Sequence, residues 1–125
     1  MQINDPVALA ELTKAFAEYE QALVTNDIAT LDRLFWNSPE TLRYGVGENL
    51  YGFVAIQDFR NSRPSQGLDR TVIRSAITTF GSDYGVANIE FLRAGTDRIG
   101  RQSQSWVRFD EGWRVVAAHV SLMAG

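Results

Sequence analysis

The stretch Arg101–Met123, RQSQSWVRFDEGWRVVAAHVSLM, leaves this chain few architectures to choose from. Two long runs with strand character meet at Asp110-Glu111-Gly112, a tight-turn signal flanked by alternating residues. Trp113, Val115, Ala117, His119, Ser121 and Met123 share one face of the second run, because successive side chains point to opposite sides of a sheet. That face opens with large apolar groups and then passes through the single histidine, beside a hydroxyl. Such a face suits the wall of a cavity better than a uniform core. Gln104 joins it across the hairpin, and a one-residue slip in register would turn it outward.

The upstream segments supply what would close that cavity. Asn4 or Asp5 caps a helix with Pro6 in its first turn, and Leu9, Leu12, Phe16, Tyr19 and Leu23 form one amphipathic stripe. Tyr19 therefore lies on the buried face with a hydroxyl in need of a partner. Thr25-Asn26-Asp27 separates this helix from a second, Ile28 to Trp36, which Ser38-Pro39 stops. Thr41–Tyr44 and Leu50-Tyr51 read as short strands around a turn, and Phe53–Arg63 as a third helix closed by Pro64. The spacing of Gly45, Gly47 and Gly52 does not match a phosphate-binding loop. Arg70–Phe80 is rich in β-branched residues, and Tyr84–Arg93 follows it as the next strand. Helices first and a strand meander afterwards make an α+β fold in one domain, residues 1–125.

A chain of 125 residues buries roughly two-thirds of its unfolded surface. Its net charge of −3 argues against nucleic acid as a main partner. No apolar run reaches the roughly 18 residues of a membrane span. The segment MQINDPVALAELTKAF lacks the basic start and continuous apolar core of a secretory signal, so a cytoplasmic protein is expected. There is no cysteine, which removes disulfides, thiolate nucleophiles and cysteine-based metal sites together. One histidine without cysteine does not make a usual zinc set, and the expectation is neither metal nor cofactor. Eleven of the twelve basic residues are arginine, whose planar fork suits carboxylates, so a small anion is an open possibility beside plain surface solubility.

Among the candidates for chemistry, His119 is the one imidazole, a group type suited to acid–base work, yet a lone strand histidine is as a rule a satisfied core group. Ser121 is a candidate for substrate binding, but no Ser-His-Asp spacing supports a nucleophilic serine. Trp36, Tyr44, Trp106 and Trp113 serve as pocket wall or as core. An isomerase pair of carboxylate base and tyrosine donor lacks its base, since Asp32 and Asp110 read as surface residues.

The helix pair, small hairpin, third helix and curved meander together resemble the nuclear-transport-factor-2-like (SnoaL-like) cone fold, in which helices cap a strongly bent, mostly antiparallel sheet around a pocket. Within it, the blocks FAEYEQALVTND (16–27), LFWNSPETLRYGVGENLYG (34–52), ITTFGSDYGVANIEF (77–91) and GRQSQSWVRFDEGWRVVAAHVSLM (100–123) resemble the AtzH-like/HpxZ family associated with cyanurate and oxalurate catabolism. The resemblance implies a cofactor-free decarboxylating amidohydrolase whose substrate is a small N-carboxylated urea, 1,3-dicarboxyurea giving allophanate. It implies a catalytic pair at the positions of Tyr19 and Arg43; His119, Ser121, Gln104, Trp36 and Tyr44 are the candidate substrate contacts that the residues themselves offer.

The residue types fit that chemistry. A carbamate nitrogen loses CO₂ when it is protonated as its C–N bond breaks, which calls for a carboxylate anchor and a proton donor. An arginine fork is such an anchor, and a phenol with an unperturbed pKa of about 10 carries its proton at neutrality. Two other readings stand beside this one. In the first, Arg43 and His119 hold a small acid without turnover. In the second, the domain assembles with copies of itself, and the sheet's outer face, with Val72 and Ile77, pairs to make a homodimer.

Overall fold

The structure is a computed structural model that describes residues 1–125. Helix α1 (Pro6–Val24) begins where its signals lie: the Asp5 carboxylate accepts the Ala8 N–H at 3.0 Å, and Pro6 occupies the first turn. Its buried stripe is Leu12, Phe16, Tyr19 and Leu23, joined by Ala8 and Ala22. Asn26, at φ 53°, turns the chain, and Asp27 caps α2 (Ile28–Leu34) by accepting from the Thr30 N–H at 3.2 Å. Strands β1 (Leu42–Tyr44) and β2 (Asn49–Tyr51) form the small hairpin, and α3 (Phe53–Ser62) follows from Gly52.

The meander is β3 (Thr71–Phe80), β4 (Tyr84–Leu92), β5 (Gly100–Phe109) and β6 (Gly112–Leu122). Gly112, at φ 126°, completes the two-residue turn between the last two strands. The single six-stranded sheet runs β2-β1-β6-β5-β4-β3, antiparallel throughout except for the parallel pairing of β1 with β6. That pairing brings the early hairpin beside the last strand and is the topological step that carries Arg43 into the sheet.

The helices lie on one face. Leu12, Leu31, Leu34, Phe35 and Ile56 meet Ala87, Ile89, Phe91, Trp106 and Val115 in one core cluster. Burying each of the large apolar side chains contributes about 1.5–3 kcal/mol. Helix α1 approaches the sheet so closely at Gly85 that an added Cβ would lie 2.4 Å from Leu12 Cδ2.

One irregularity decides which residues face inward. The β5–β6 register runs Gln104 with Ala118 and Ser105 with Ala117, then Trp106 with Val115, so Val116 is an extra residue in β6. The bulge reverses the alternation. Trp113 and Val115 point into the core before it, and Ala118 and Val120 do so after it. The face predicted to run unbroken from Trp113 to Met123 is therefore two half-faces on opposite sides, and His119 stands exposed on the outer one. A second bulge interrupts β3 between Val72 and Arg74. Beyond it Ile77 pairs with the buried Ala87 and packs on the core, so it does not belong to the outer face where the sequence placed it.

Candidate active site

Paired residues of neighbouring strands share a face. Arg43 pairs with Ala118, and Ala118 with Gln104, which sets these three in one row on the inner, helix-covered side. Gln104 is 1% exposed and Gln102, two residues earlier on the same face, is 2% exposed. Arg43 Nη1 donates to Glu48 Oε1 at 3.0 Å across the β1–β2 turn, and its guanidinium lies 5.5 Å from the centre of the Phe59 ring on α3. Tyr19 enters from α1. Its ring packs between Phe16 and Phe35, with centroids at 6.0 and 6.3 Å, and no protein group hydrogen-bonds its hydroxyl.

Four further arginines surround this interior. Arg60 of α3 donates to Asp32 Oδ1 at 3.1 Å and lies 4.1 Å over the Phe35 ring. Arg70 is bound by Glu20, donates to Gln102 Oε1 at 3.2 Å and sits 4.4 Å over Phe91. Arg93, 5.3 Å from the same ring, donates to the Gly67 carbonyl at 2.9 Å. Arg63 caps α3 with ψ 152°, an extended conformation that suits a residue before Pro64 and turns its side chain off the helix. Its Nε and Nη2 are enclosed with no protein acceptor.

The electrostatics tie these groups together. Burial holds the Arg60 guanidinium below the ordinary arginine value, Tyr19 and Asp32 offset this, and Arg43 pushes it down further. Arg63 behaves alike: burial lowers it, Tyr19 offsets, and Arg43, Arg93 and Arg70 add to the lowering. Arg93 is lowered by burial and by Arg70, with Tyr19 and Glu20 opposing. Five guanidiniums face three carboxylates (Glu48, Asp32 and Glu20), so two positive charges remain uncompensated, at Arg63 and Arg93. A partly enclosed surplus of hydrogen-bond donors with net positive charge has the chemistry to hold a small anion. No group of three or more His, Cys, Asp or Glu side chains is arranged to hold a metal ion.

The remaining candidates lie elsewhere. Tyr44 pairs with His119, their rings 5.5 Å apart, and with Tyr51 at 6.3 Å, all on the outer face. Ser121 follows His119 past the bulge and borders a shallow outer groove with Arg98 and Gly45. Trp36, one residue beyond the inward Phe35, stacks on Phe109 at 5.4 Å and lines a surface groove with Asp32, Phe53 and Arg114. The outward turn of Tyr44, His119 and Ser121 corrects their expected place in the pocket, and the Val116 bulge is its cause for the last two. Asp32 is likewise no free surface residue, since Arg60 and Gln57 both donate to it.

Arg60, Arg63, Arg70, Arg93 and Gln102 were not singled out from the sequence. Two signals for them exist there. Phe53, Ile56 and Arg60 are spaced three and four apart, which places a guanidinium in the buried stripe of α3. Gln102 has the same strand parity as Gln104.

The comparisons with known proteins agree with this architecture. A protein-family model described as AtzH-like matches residues 1–125. A protein of unknown function of the DUF3225 family from Pectobacterium atrosepticum is 56% identical, superposes with a TM-score of 0.96, and is matched over 98% of this chain and 95% of its own. A cystatin-like fold protein from Burkholderia xenovorans is 43% identical with a TM-score of 0.95, over 100% and 98% of the two chains. A nuclear transport factor 2-like superfamily protein from Salmonella enterica is 25% identical with a TM-score of 0.76, over 95% and 93%. No curated protein matches the chain. The fold is the nuclear-transport-factor-2-like, cystatin-like one.

Proposed function

We propose, for a chain that belongs to the AtzH-like family, that it is a cofactor-free decarboxylating amidohydrolase acting on a small N-carboxylated urea in ureide nitrogen catabolism. The substrate is of the 1,3-dicarboxyurea type, and the product is allophanate. The observation that supports this reading is geometric: Tyr19 lies on the buried stripe of α1, Arg43 enters the inward row through Ala118, and Arg63 Nε and Nη2 are enclosed without a protein acceptor.

In the proposed step Arg43 holds the carboxylate that departs. Its Nη1 is engaged by Glu48, which fixes the plane of the fork and leaves its other donors for substrate. The C–N bond to that carboxylate breaks, its electron pair stays on nitrogen, and the carboxylate leaves as CO₂. The phenol of Tyr19 gives its proton to the nitrogen, and solvent returns a proton to the phenolate. The neighbouring guanidiniums stabilise the phenolate while it exists, as expected for fixed positive charge in a site of low polarity. A positioned acid contributes about 10²–10⁴-fold to such a step.

The test is a turnover screen with 1,3-dicarboxyurea, biuret-type acids and oxalurate, following CO₂ release and product above the uncatalysed background. Turnover of a carboxylated urea supports the reading. Binding without turnover favours the alternative, a non-catalytic binder of small acids built on the same arginines.

A further inference from the structure

Among the enclosed donors that no protein group satisfies are Arg63 Nε, Arg63 Nη2, Gln102 Nε2 and Gln104 Nε2, with the Thr79 hydroxyl on β3 as another. The orientation of both amides follows from their other ends. Gln104 Oε1 accepts from the Trp106 indole at 3.1 Å, and Gln102 Oε1 accepts from Arg70 at 3.2 Å. Indole and guanidinium nitrogens only donate, so each must meet the amide oxygen, and each Nε2 is left presenting hydrogens to the interior. Both glutamines are almost wholly buried, where an unmet donor is costly. They lie on the inner face of β5: Gln104 is in the row that Arg43 enters from the opposite side through Ala118, and Gln102 pairs with Val120 in the next inward row.

We infer that Arg63, Gln102 and Gln104 form a second anion subsite that holds the carboxylate which does not depart, making the site selective for dianions over monoanions. This rests on the proposed decarboxylation and assigns the residues that distinguish its substrate. Arg43 holds the leaving carboxylate at one end of the row. Arg63 and the two amides receive the retained carboxylate, and the urea oxygen between them, at the other. The charge agrees for the retained end, because Arg63 has no carboxylate partner and its enclosed Nε and Nη2 have no protein acceptor. A neutral or monoanionic ligand would leave a buried donor and a buried charge unmet, which is how a site built for hydrogen bonding rejects an analogue lacking the acceptor.

The test uses two stable five-carbon probes, glutarate with two carboxylates and valerate with one, titrated calorimetrically into wild type, Arg63→Met, Arg63→Gln and His119→Ala. Wild type is expected to prefer glutarate at least tenfold. Arg63→Met lowers glutarate affinity tenfold or more and leaves valerate within twofold. Arg63→Gln gives the same answer should the methionine variant not fold. His119→Ala keeps the wild-type preference, because its ring stands on the outer face of the sheet. Equal binding of the two probes by wild type, or an undiminished preference in both Arg63 variants, overturns the subsite. A wild type that shows the preference but releases no CO₂ from any carboxylated urea overturns the proposed reaction and leaves the subsite standing.

Discussion

Arg43 and Gln104 stand on opposite sides of Ala118 in one inward-facing row, each on a strand hydrogen-bonded to β6. At the usual strand spacing of about 4.8 Å, their backbones are roughly 9.6 Å apart, and the proposed ligand would lie between the two side chains, over the methyl of Ala118. A larger residue at that position should block the site without removing any functional group. Ala118→Leu is expected to weaken glutarate binding and substrate turnover at least tenfold, at a stability cost of about 1–3 kcal/mol from overpacking. Calorimetric titration together with denaturant unfolding separates the two effects.

Arg43→Lys keeps the charge and loses the fork. An ammonium cannot meet Glu48 and a carboxylate in the same plane, so kcat/KM should fall at least tenfold while the protein folds normally. Steady-state kinetics beside the thermal unfolding curve checks this. A lysine variant with wild-type kinetics would remove Arg43 from the anchor role.

His119→Ala should change little. The ring is exposed on the outer face against Tyr44, separated from the interior by the sheet itself. The expected kcat/KM lies within twofold of wild type, and so does its pH profile. A profile that loses an inflection near neutrality in the variant would contradict the placement.

The same histidine shows how far the chain can be read before its structure. The caps at Asp5 and Asp27, the stripe of α1, the stop at Pro64 and the hairpin at Gly112 are local events, each governed by residues a few positions apart. Tyr19 was legible on the inner stripe for that reason. The Val116 bulge was not, because Val115-Val116-Ala117-Ala118 reads equally well in either parity, and the choice is made by what packs on each side. The arginine cluster was hidden for a related reason. Its members come from α3, from the loop before β3, from the end of β4 and from β1, and only the closed fold puts them around one interior. The abundance of arginine over lysine hinted at the ligand's charge, and the burial of Arg60 and Arg70 gives that hint its place.

Acid should unmask one of the caps. Donation from the Thr30 hydroxyl and backbone N–H holds the Asp27 carboxyl below the usual carboxylate value. A carboxyl lowered on folding adds stability above its unfolded pKa of about 4, and this is lost as the pH falls through the folded value. Asp27→Asn should therefore melt below wild type at pH 7, with the gap closing below about pH 4. Parallel melting curves across that range test it.

Tyr19→Phe tests the central claim most directly, since the substitution removes one oxygen from a ring held between Phe16 and Phe35 and leaves the packing in place. The measurement is the rate of CO₂ release from freshly prepared 1,3-dicarboxyurea, corrected for the uncatalysed reaction, together with glutarate affinity in the same samples. The account predicts a wild-type rate well above background, a fall of about 10²–10⁴-fold in the variant, and unchanged glutarate binding. A phenylalanine variant that releases CO₂ at the wild-type rate would contradict it.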